Sequence, residues 1–365
     1  MTERWADQAQ LDPAQRAREL RRAHAQGRRR RAIRRRRLAL AGGAVIVLIA
    51  VIVALSAGGS SSSRRVARRS ATASPARSVV TVRVAVLGAL PAAVQFPAAA
   101  AIGGDRIVLL GGLDSGGNSM AAITTLSGGR AVPSGQLPVA QHDAQAATLA
   151  GAVYVFGGGA LQSYDHILRF DPTSGQVTQA GRLPQPASDV AVSAIGDTAY
   201  VVGGYNGVDA LDTIVAWRPG GTAQVVAHLP VALRYAAAAS VGARLIIAGG
   251  SQGGSASRAI LSFDPASGRV TEIGQLPAAV THASAVTFGS TVYLLGGRGA
   301  TAGSQTDDVI AIDPAGGRAR LVARLLRPIS DAAAVTTSGG VVIAGGTTAG
   351  GPQAAVSELQ ITTHP

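Results

Sequence analysis

The chain has 365 residues and a formal net charge of +13 at pH 7, with 47 Gly, few aromatic residues and no Cys. The absence of Cys excludes disulfides, thiolate metal sites and Cys nucleophiles. A composition rich in Gly and poor in aromatic residues disfavours a large helical bundle and favours many short strands joined by turns.

The positive charge is concentrated near the N-terminus. Residues 1–37 carry a net charge of +9 and residues 58–77 a net charge of +5, whereas residues 78–365 carry 15 Arg against 16 acidic residues. A near-neutral domain lacks the electrostatic footprint of a protein that binds a phosphate backbone, so we expect no nucleic-acid partner. We expect the Arg-rich tail to contact anionic lipid headgroups, with nucleic-acid binding by the tail as the alternative.

An uncharged apolar run, LALAGGAVIVLIAVIVALSA, occupies residues 38–57. Its 20 residues are about the length of a helix that crosses a hydrocarbon core. Eight Arg lie between positions 28 and 37, more than lie close behind the run, so the positive-inside rule predicts a cytoplasmic N-terminus. Cleavage as a signal peptide is the alternative, but the run is longer than a usual signal-peptide core, which favours a retained single-pass anchor.

The chain therefore divides into four predicted segments. They are a basic cytoplasmic tail (1–37), a transmembrane helix (38–57), a flexible linker rich in Gly, Ser, Ala and Arg (58–78) and a large extracytoplasmic domain (79–365). A linker of this composition tethers a domain without fixing its orientation.

An apolar run that ends in Gly-Gly recurs six times along the large domain. The first Gly of each pair is Gly111, Gly157, Gly203, Gly249, Gly296 and Gly345, at intervals of 46 to 49 residues. A Leu-Pro pair recurs in phase five times, and Leu326-Arg327-Pro328 stands at the sixth place. Self-similarity at such a period is typical of solenoids, propellers and arrays.

Each unit is long enough for four short strands. In the third unit we predict strands at 190–194, 199–202, 213–217 and 223–227, with turns between them. Four antiparallel strands per repeat make one blade of a β-propeller, so six repeats predict an all-β fold with six blades.

The repeat resembles the kelch family. The resemblance rests on the Gly-Gly after an apolar strand, the Leu-Pro connection and turns such as Phe170-Asp171-Pro172 and Phe263-Asp264-Pro265. It covers residues 79–365 and implies a kelch-type propeller, the fold family that includes the central domain of galactose oxidase, with six blades here because the repeat occurs six times. The chain departs from the family at Val177 and Val270, which stand where kelch repeats usually carry a Trp.

The ends of the large domain predict how the ring closes. After Gly345-Gly346 only one more strand remains, at about 354–361, so the sixth blade lacks its fourth strand. Residues 79–86 precede the first Leu-Pro and have the right place in the repeat to supply it. We expect this N-terminal strand to close the ring, because closure removes exposed strand edges.

Candidate ligand-binding residues lie 14 and 15 positions before each Gly-Gly, where kelch proteins face the mouth of their central channel. The resemblance therefore implies a ring at one opening made of His142, Asp143, Asp189, Arg234, Tyr235, His282 and Asp331, with Phe96 and Pro97 at the equivalent place in the first unit. The loops after the Gly pairs, which contain Tyr205, Arg258, Asp307 and Asp308, are expected around the same face. The alternative interpretation is that these groups only hydrate the rim of the channel.

No motif supports a cofactor or a metal ion, and we expect neither. A phosphate-binding loop needs a Lys, and the chain has none. Residues 249–253 spell a nucleophile elbow, but no helix pattern follows them. No metalloprotease, calcium-loop or clustered His pattern occurs.

These patterns favour a bacterial, non-catalytic binding module that recognises a glycan, a cell-wall component or a protein at the channel mouth. The alternative is a carbohydrate-active enzyme, since kelch propellers include galactose oxidase and a sialic-acid mutarotase. The copper site of galactose oxidase uses a Cys-crosslinked Tyr, which a chain without Cys cannot form. A mutarotase or epimerase needs an acid and a base, for which His282 with Asp189 or Asp331 could serve.

Overall fold

The computed structural model describes residues 79–364, so the predicted tail, transmembrane segment and linker lie outside the described residues. The described residues form 27 β-strands and contain no α-helix. Accordingly, no helix within residues 79–364 has the length and apolar character needed to cross a membrane.

The strands follow one another in groups that form the blades. In chain order they are β1 (Val79–Ala89), β2 (Ala98–Ala101), β3 (Arg106–Leu110), β4 (Met120–Ser127), β5 (Arg130–Gln141), β6 (Gln145–Leu149), β7 (Ala152–Phe156), β8 (His166–Phe170), β9 (Val177–Arg182), β10 (Ala191–Ile195), β11 (Thr198–Val202), β12 (Thr213–Trp217), β13 (Gln224–His228), β14 (Ala237–Val241), β15 (Arg244–Ala248), β16 (Ser251–Gln252), β17 (Ser255–Asp264), β18 (Arg269–Val280), β19 (Ser284–Phe288), β20 (Thr291–Leu295), β21 (Asp308–Ile312), β22 (Ala319–Arg324), β23 (Ala333–Thr336), β24 (Val341–Ala344), β25 (Thr347–Thr348), β26 (Gly351–Pro352) and β27 (Ala355–His364).

Six antiparallel blades contain 25 of these strands, and β25 and β26 form a separate short hairpin. The first three have the orders β2-β3-β4-β5, β6-β7-β8-β9 and β10-β11-β12-β13. In the fourth, β14-β15-β17-β18 is extended by the short β16, and the fifth is β19-β20-β21-β22. The innermost strands β2, β6, β10, β14, β19 and β23 contact one another in a closed ring. The predicted six-bladed β-propeller is confirmed, and the four strands predicted in the third unit agree with the structure within one residue at each end.

The N-terminal strand closes the ring, as predicted. The sixth blade has the order β1-β27-β24-β23, so β1 is its outermost strand. The pairing runs from Val79 opposite His364 to Ala89 opposite Ala355, with a bulge between Val86 and Gly88. Both strands extend about three residues further than the sequence predicted, because the pairing continues along the whole length of each.

The Gly-Gly pairs join each blade to the segment that leads into the next. The second Gly of each pair donates a backbone hydrogen bond of 2.8 or 2.9 Å across this junction, in the pairs Gly112–Gln141, Gly158–Ala187, Gly204–Leu233, Gly250–Val280, Gly297–Ile329 and Gly346–Val94. The first Gly has a φ of 59° to 67° in all six blades. A Cβ at that Gly would lie only 2.0 to 2.5 Å from the same carbonyl oxygen. Only glycine fits, which is the physical origin of the strongest repeat marker.

The hydrophobic core consists of six clusters, one between each pair of adjacent blades. Between the second and third blades, Trp217 is buried edge-on against Tyr154 and Phe156, with ring centroids 4.9 and 5.6 Å apart. Around the axis the innermost strands carry mostly Ala, because six strands converge there and leave little room for larger side chains. The residues that precede these strands form one end of the central channel.

Candidate functional site at the channel mouth

One residue in each blade adopts the left-handed backbone conformation immediately before the innermost strand. These six residues, the left-handed ring, are Phe96 (φ 56°), Asp143 (55°), Asp189 (58°), Tyr235 (51°), His282 (59°) and Asp331 (60°). In the described part of the chain only one other non-Gly residue, Ala150, has a positive φ. Such residues are uncommon, and backbone strain of this kind concentrates at functional sites.

Backbone hydrogen bonds connect the left-handed ring from blade to blade. Going around the ring, the backbone amide of one member donates to the backbone carbonyl of the member in the preceding blade. The five pairs, donor first, are Asp189–Asp143 (2.9 Å), Tyr235–Asp189 (2.9 Å), His282–Tyr235 (3.2 Å), Asp331–His282 (3.0 Å) and Phe96–Asp331 (2.9 Å). All six members line a cavity of about 140 Å³ whose remaining wall is mostly Ala from the innermost strands. The backbone thus holds six side chains around one cavity, here called the channel mouth.

The first blade departs from the sequence alignment by one position. The pair equivalent to His142-Asp143 is Gln95-Phe96 and not Phe96-Pro97, because Gln95 bridges to Leu113 as His142 bridges to Gly159. The hairpin between β2 and β3 contains one extra residue, since five residues lie between the paired Ala101 and Ile107 and four between the equivalent pair Thr148 and Val153. Counting back from the Gly-Gly therefore stops one residue short of the equivalent pair.

Arg234 and Asp189 form an ion pair at the channel mouth. Arg234 Nε donates to Asp189 Oδ2 at 2.5 Å, and the Asp189 side chain is only 3% exposed. The guanidinium carbon lies 4.1 Å from the centroid of the Tyr205 ring and 5.2 Å from that of Tyr235. Stacking on an aromatic face favours a cation, so these contacts hold Arg234 in one orientation.

His282 is held as a neutral imidazole. Arg298 Nη2 lies 3.0 Å from His282 Nε2, and because a guanidinium can only donate, Nε2 is the acceptor. The proton therefore resides on Nδ1, which donates to Thr281 Oγ1 at 3.0 Å. The ring stacks on Tyr235 with centroids 3.8 Å apart. Burial, together with the charges of Arg298 and Arg234, lowers the pKa of His282 to about 3.

The structure shows no hydrogen bond for the acid–base pair that the sequence suggested. His282 Nε2 lies 4.0 Å from Asp331 Oδ1, which is too far for a hydrogen bond. Within residues 79–364 His282 has no hydrogen bond to Asp189 either, and both of its nitrogens are engaged elsewhere. An imidazole held in this way has no free nitrogen with which to exchange a proton with a substrate.

Asp143 is a buried carboxyl, and no Arg among residues 79–364 forms a salt bridge with it. Its Oδ2 lies 3.5 Å from the hydroxyl of Tyr235 and 3.6 Å from Nε2 of His142. Burial, and next the neighbouring carboxylates of Asp189 and Asp331, raise the pKa of Asp143 well above its ordinary value. Burial lowers the pKa of His142, whose Nδ1 lies 2.9 Å from Ser119 Oγ. Burial and the nearby carboxylates also raise the pKa of Tyr235, so its hydroxyl stays protonated.

Asp331 has one satisfied and one unsatisfied oxygen. Ser330 Oγ donates to Asp331 Oδ2 at 2.6 Å. Oδ1 is buried, and no donor among the described residues lies within hydrogen-bond distance of it. Burial raises the pKa of Asp331 to about 6, against the opposing effects of Ser330 and Arg298.

We expect Asp331→Asn to raise the free energy of unfolding at pH 7.5 and to leave it unchanged near pH 4. Because its folded pKa is about 6 and its ordinary value 3.8, folded Asp331 binds more protons than the unfolded chain between those pH values. Protonated Asp331 makes its whole contribution to the free energy of unfolding below pH 4, and this contribution is lost as the pH rises through 6. Asn is neutral throughout, so the gain at pH 7.5 is up to about 3 kcal/mol.

Urea unfolding at the two pH values checks this expectation. Asp197→Asn, in the exposed turn between β10 and β11, serves as the matched control and should change stability at neither pH. A gain that is equal at pH 4 and pH 7.5 would contradict the assignment, since it would not come from ionisation.

All seven predicted site residues lie at or beside the channel mouth. Asp143, Asp189, Tyr235, His282 and Asp331 line the cavity. The other two, His142 and Arg234, come directly before Asp143 and Tyr235 in the chain. His142 lies beside the carboxyl of Asp143, and Arg234 pairs with Asp189. Whether these residues bind a ligand is a separate question, addressed below.

Arg298 is a site residue that the sequence argument missed, whereas Phe96 was named there but one position out of register. Arg298 directly follows the pair Gly296-Gly297, as Tyr205 follows its own Gly pair. The β-bridge of Arg298 to Thr281 is equivalent to that of Tyr205 to Ser188. Comparing the residue after each Gly pair would have found Arg298.

Three of the loop residues expected around the channel mouth bind elsewhere in their own blades. Arg258 Nε donates to the carbonyl of Leu276 at 2.8 Å, and Asp307 and Asp308 both pair with Arg324. Among the described residues, no group of three His, Asp or Glu side chains is arranged to hold a metal ion.

Fold and site together define a six-bladed β-propeller with a polar and aromatic ring at one end of its channel. A solved structure described as "Structure of YjhT" is similar to it, with a TM-score of 0.65 and 17% sequence identity, over 77% of this chain and 100% of that one. At this identity the likeness shows the fold alone. No protein-family model matches the chain, and no curated protein matches it.

Proposed function

We propose that the propeller is a non-catalytic binding module that recognises a glycan, free or as part of a cell-wall component, at the channel mouth. The observation that carries the proposal is the left-handed ring, in which six residues with a strained backbone place their side chains around a single cavity. Besides Tyr235, four of the six side chains are polar, namely three Asp and one His. Backbone strain at the equivalent position of every blade favours a binding role for these residues over simple hydration of the channel rim.

The chemistry of the channel mouth suits a sugar. The carboxyl groups of Asp143 and Asp331 accept hydrogen bonds, and the partly exposed guanidinium of Arg234 donates them. The rings of Tyr235 and Phe96, whose centroids are 6.1 Å apart, offer apolar faces. Pockets for small molecules combine apolar faces with a few convergent polar groups in this way.

The size of the cavity favours a small ligand over a protein surface. A stable protein–protein interface buries about 800 Å² on each partner. The channel mouth is instead a concave site of about 140 Å³, smaller than the roughly 300 to 1,000 Å³ of pockets for drug-sized ligands, so it suits a single sugar unit at most.

A sugar mutarotase or epimerase is the alternative function. It would require an acid and a base that reach the substrate, and the nitrogens of His282 are both engaged by Arg298 and Thr281. The geometry therefore supports binding better than turnover.

Kelch-family membership and display outside the cytoplasm are parts of the same proposal. The first is supported by the repeat markers, and the second by the apolar run at 38–57 and the Arg that precede it. In this arrangement residues 38–57 anchor the chain in the cell membrane, and the tail contacts anionic headgroups. Protease added to intact spheroplasts should digest the propeller, whereas protection of the propeller would contradict the proposed orientation.

A screen of the full chain on an array of glycans and cell-wall fragments tests the proposed function. The test variant is Phe96→Ala with Asp143→Asn, which removes one apolar face and one carboxylate from the channel mouth. The matched control is Val226→Ala, on the outermost strand of the third blade. We expect the test variant to lose about tenfold or more in affinity, the effect of about 1.4 kcal/mol, and the control to lose none.

Two outcomes would count against the proposal. The absence of any glycan hit, or binding that is indifferent to the test variant, would remove the site assignment. Turnover is examined separately, by following the anomeric protons of a bound sugar by NMR. Faster anomeric exchange in the presence of the protein would support the mutarotase alternative.

A further inference from the structure

The channel mouth has more carboxyl groups than cations. The cluster contains the carboxyl groups of Asp143, Asp189 and Asp331 and the guanidinium groups of Arg234 and Arg298. The remaining titratable members carry no charge at neutral pH, because the pKa values of His142 and His282 are lowered and that of Tyr235 is raised. With all three carboxyl groups ionised, the cluster holds one negative charge in excess.

The two cations do not satisfy the carboxyl groups evenly. Arg234 pairs with Asp189, and Arg298 donates to His282 and not to a carboxylate. Asp331 is more than nine-tenths buried and lines the cavity, and its Oδ1 has no donor in the described part of the chain. A buried carboxylate oxygen without a donor is costly, so a ligand donor that reached this oxygen from the cavity would relieve that cost.

A bound proton is one way to offset the missing positive charge. Burial raises the pKa of Asp331 to about 6 and that of Asp143 well above its ordinary range, so this cluster binds a proton more readily than exposed carboxyl groups do. A proton and an ammonium group are alternative ways to neutralise the same buried carboxylate. A cationic ligand can therefore replace the proton.

Aromatic faces adjoin the carboxyl cluster. Tyr235 stacks on His282, and the Phe96 centroid lies 6.1 Å from each of these two rings. The face of an aromatic ring attracts a cation, and a primary ammonium brings three hydrogen-bond donors. Carboxylates, an unsatisfied acceptor and aromatic faces together match an amine better than a neutral hydroxyl.

We propose that the channel mouth selects a ligand with a primary ammonium group, such as an amino sugar. The ammonium group enters the carboxyl cluster and hydrogen-bonds to Asp331, and one proton leaves the cluster for solvent. Charge balances, because one cation replaces one proton. The inference rests on the proposed function, since it names the chemical class of the glycan at the same site.

Calorimetric titration of the full chain with matched sugars tests this. The probes are glucosamine, galactosamine and mannosamine, each with its N-acetyl derivative and its parent hexose, so that only the substituent changes within a set. We expect at least one amine to bind about 10 to 100 times more tightly than both of its neutral partners, the range of a hydrogen bond to a charged group. Titration at pH 6.5 in phosphate and in MES, neither of which carries a primary amine, should show release of up to about one proton on binding.

Asp331→Asn separates the ammonium contact from the rest of the site. We expect this variant to bind the amine about 10 to 100 times more weakly, to weaken binding of the neutral sugars by a smaller factor, so that the preference for the amine is lost, and to release fewer protons. Asp143→Asn is the second variant and should reduce the preference in the same direction. Asp197→Asn, in an exposed turn, is the control and should behave like the unaltered protein.

The outcomes distinguish this inference from the proposed function. Neutral sugars that bind as tightly as their amines would overturn the inference and leave the proposed function intact. If none of the nine sugars binds, the inference is overturned, and the glycan array decides the proposed function on its own. Amine binding that Asp331→Asn does not weaken would also overturn the inference, because the ammonium would then lie elsewhere.

Discussion

Gly203→Ala is expected to lower the free energy of unfolding of the propeller by about 2 to 4 kcal/mol. Gly203 has a φ of 60°, and a Cβ there would lie 2.4 Å from the carbonyl oxygen of Leu233. That oxygen accepts the hydrogen bond from Gly204 that joins the third blade to the fourth, at 2.8 Å. Ala therefore adds backbone strain and also displaces the acceptor of an inter-blade hydrogen bond.

Gly196→Ala is the matched control for this substitution. Gly196 lies in the same blade and has a similar φ of 57°, but nothing lies within 4 Å of a Cβ built on it. It should show only the cost of the left-handed conformation, about 1 kcal/mol. Urea unfolding of the two variants measures the difference, and equal losses would show that the close approach to Leu233 contributes nothing.

Replacement of residues 79–89 by a Gly/Ser segment of equal length is expected to abolish cooperative folding of the propeller. This segment is β1, whose 11 residues cover the open edge of β27. Val82 and Val84 also pack into the core between the fifth and sixth blades, and Leu87 into the core between the sixth and the first. Without β1, a long strand edge and apolar surface are exposed together, so we expect aggregation as well.

The comparison for this replacement is the same Gly/Ser substitution at residues 68–78, immediately before β1. Tryptophan fluorescence during urea unfolding, with light scattering for aggregation, follows both variants. The control should keep a single transition at the original midpoint. If the β1 variant also keeps it, the pairing of β1 with β27 is not what closes the ring.

Much of the fold could be predicted from local sequence. At the first Gly of each pair, a left-handed φ and a nearby carbonyl oxygen leave no room for a side chain. The junction between blades has this geometry every time, so the Gly-Gly pair recurs once per blade. Their period predicts six blades, and the missing fourth strand of the last unit predicts closure by residues 79–86. The apolar run at 38–57 predicts a membrane anchor, and this stays a prediction because it lies outside the described residues.

The site could be predicted only in part. The positions before each innermost strand identified five of the six members of the left-handed ring, since every blade places them alike. The sixth, Phe96, was assigned to the wrong register, because the connection between β2 and β3 is longer and spacing alone does not show where an extra residue is accommodated.

The sequence by itself determined the number of blades, the strand pattern within a blade and the positions that surround the channel, because each depends on a repeated local requirement. Only the tertiary structure decided which of those side chains meet. The contact of Arg298 with His282 forms within the fifth blade, whereas the pair of Arg234 with Asp189 depends on how neighbouring blades curve around the axis. Partners from different blades meet there across 45 positions of chain, a proximity that closure of the ring creates and that no local pattern encodes.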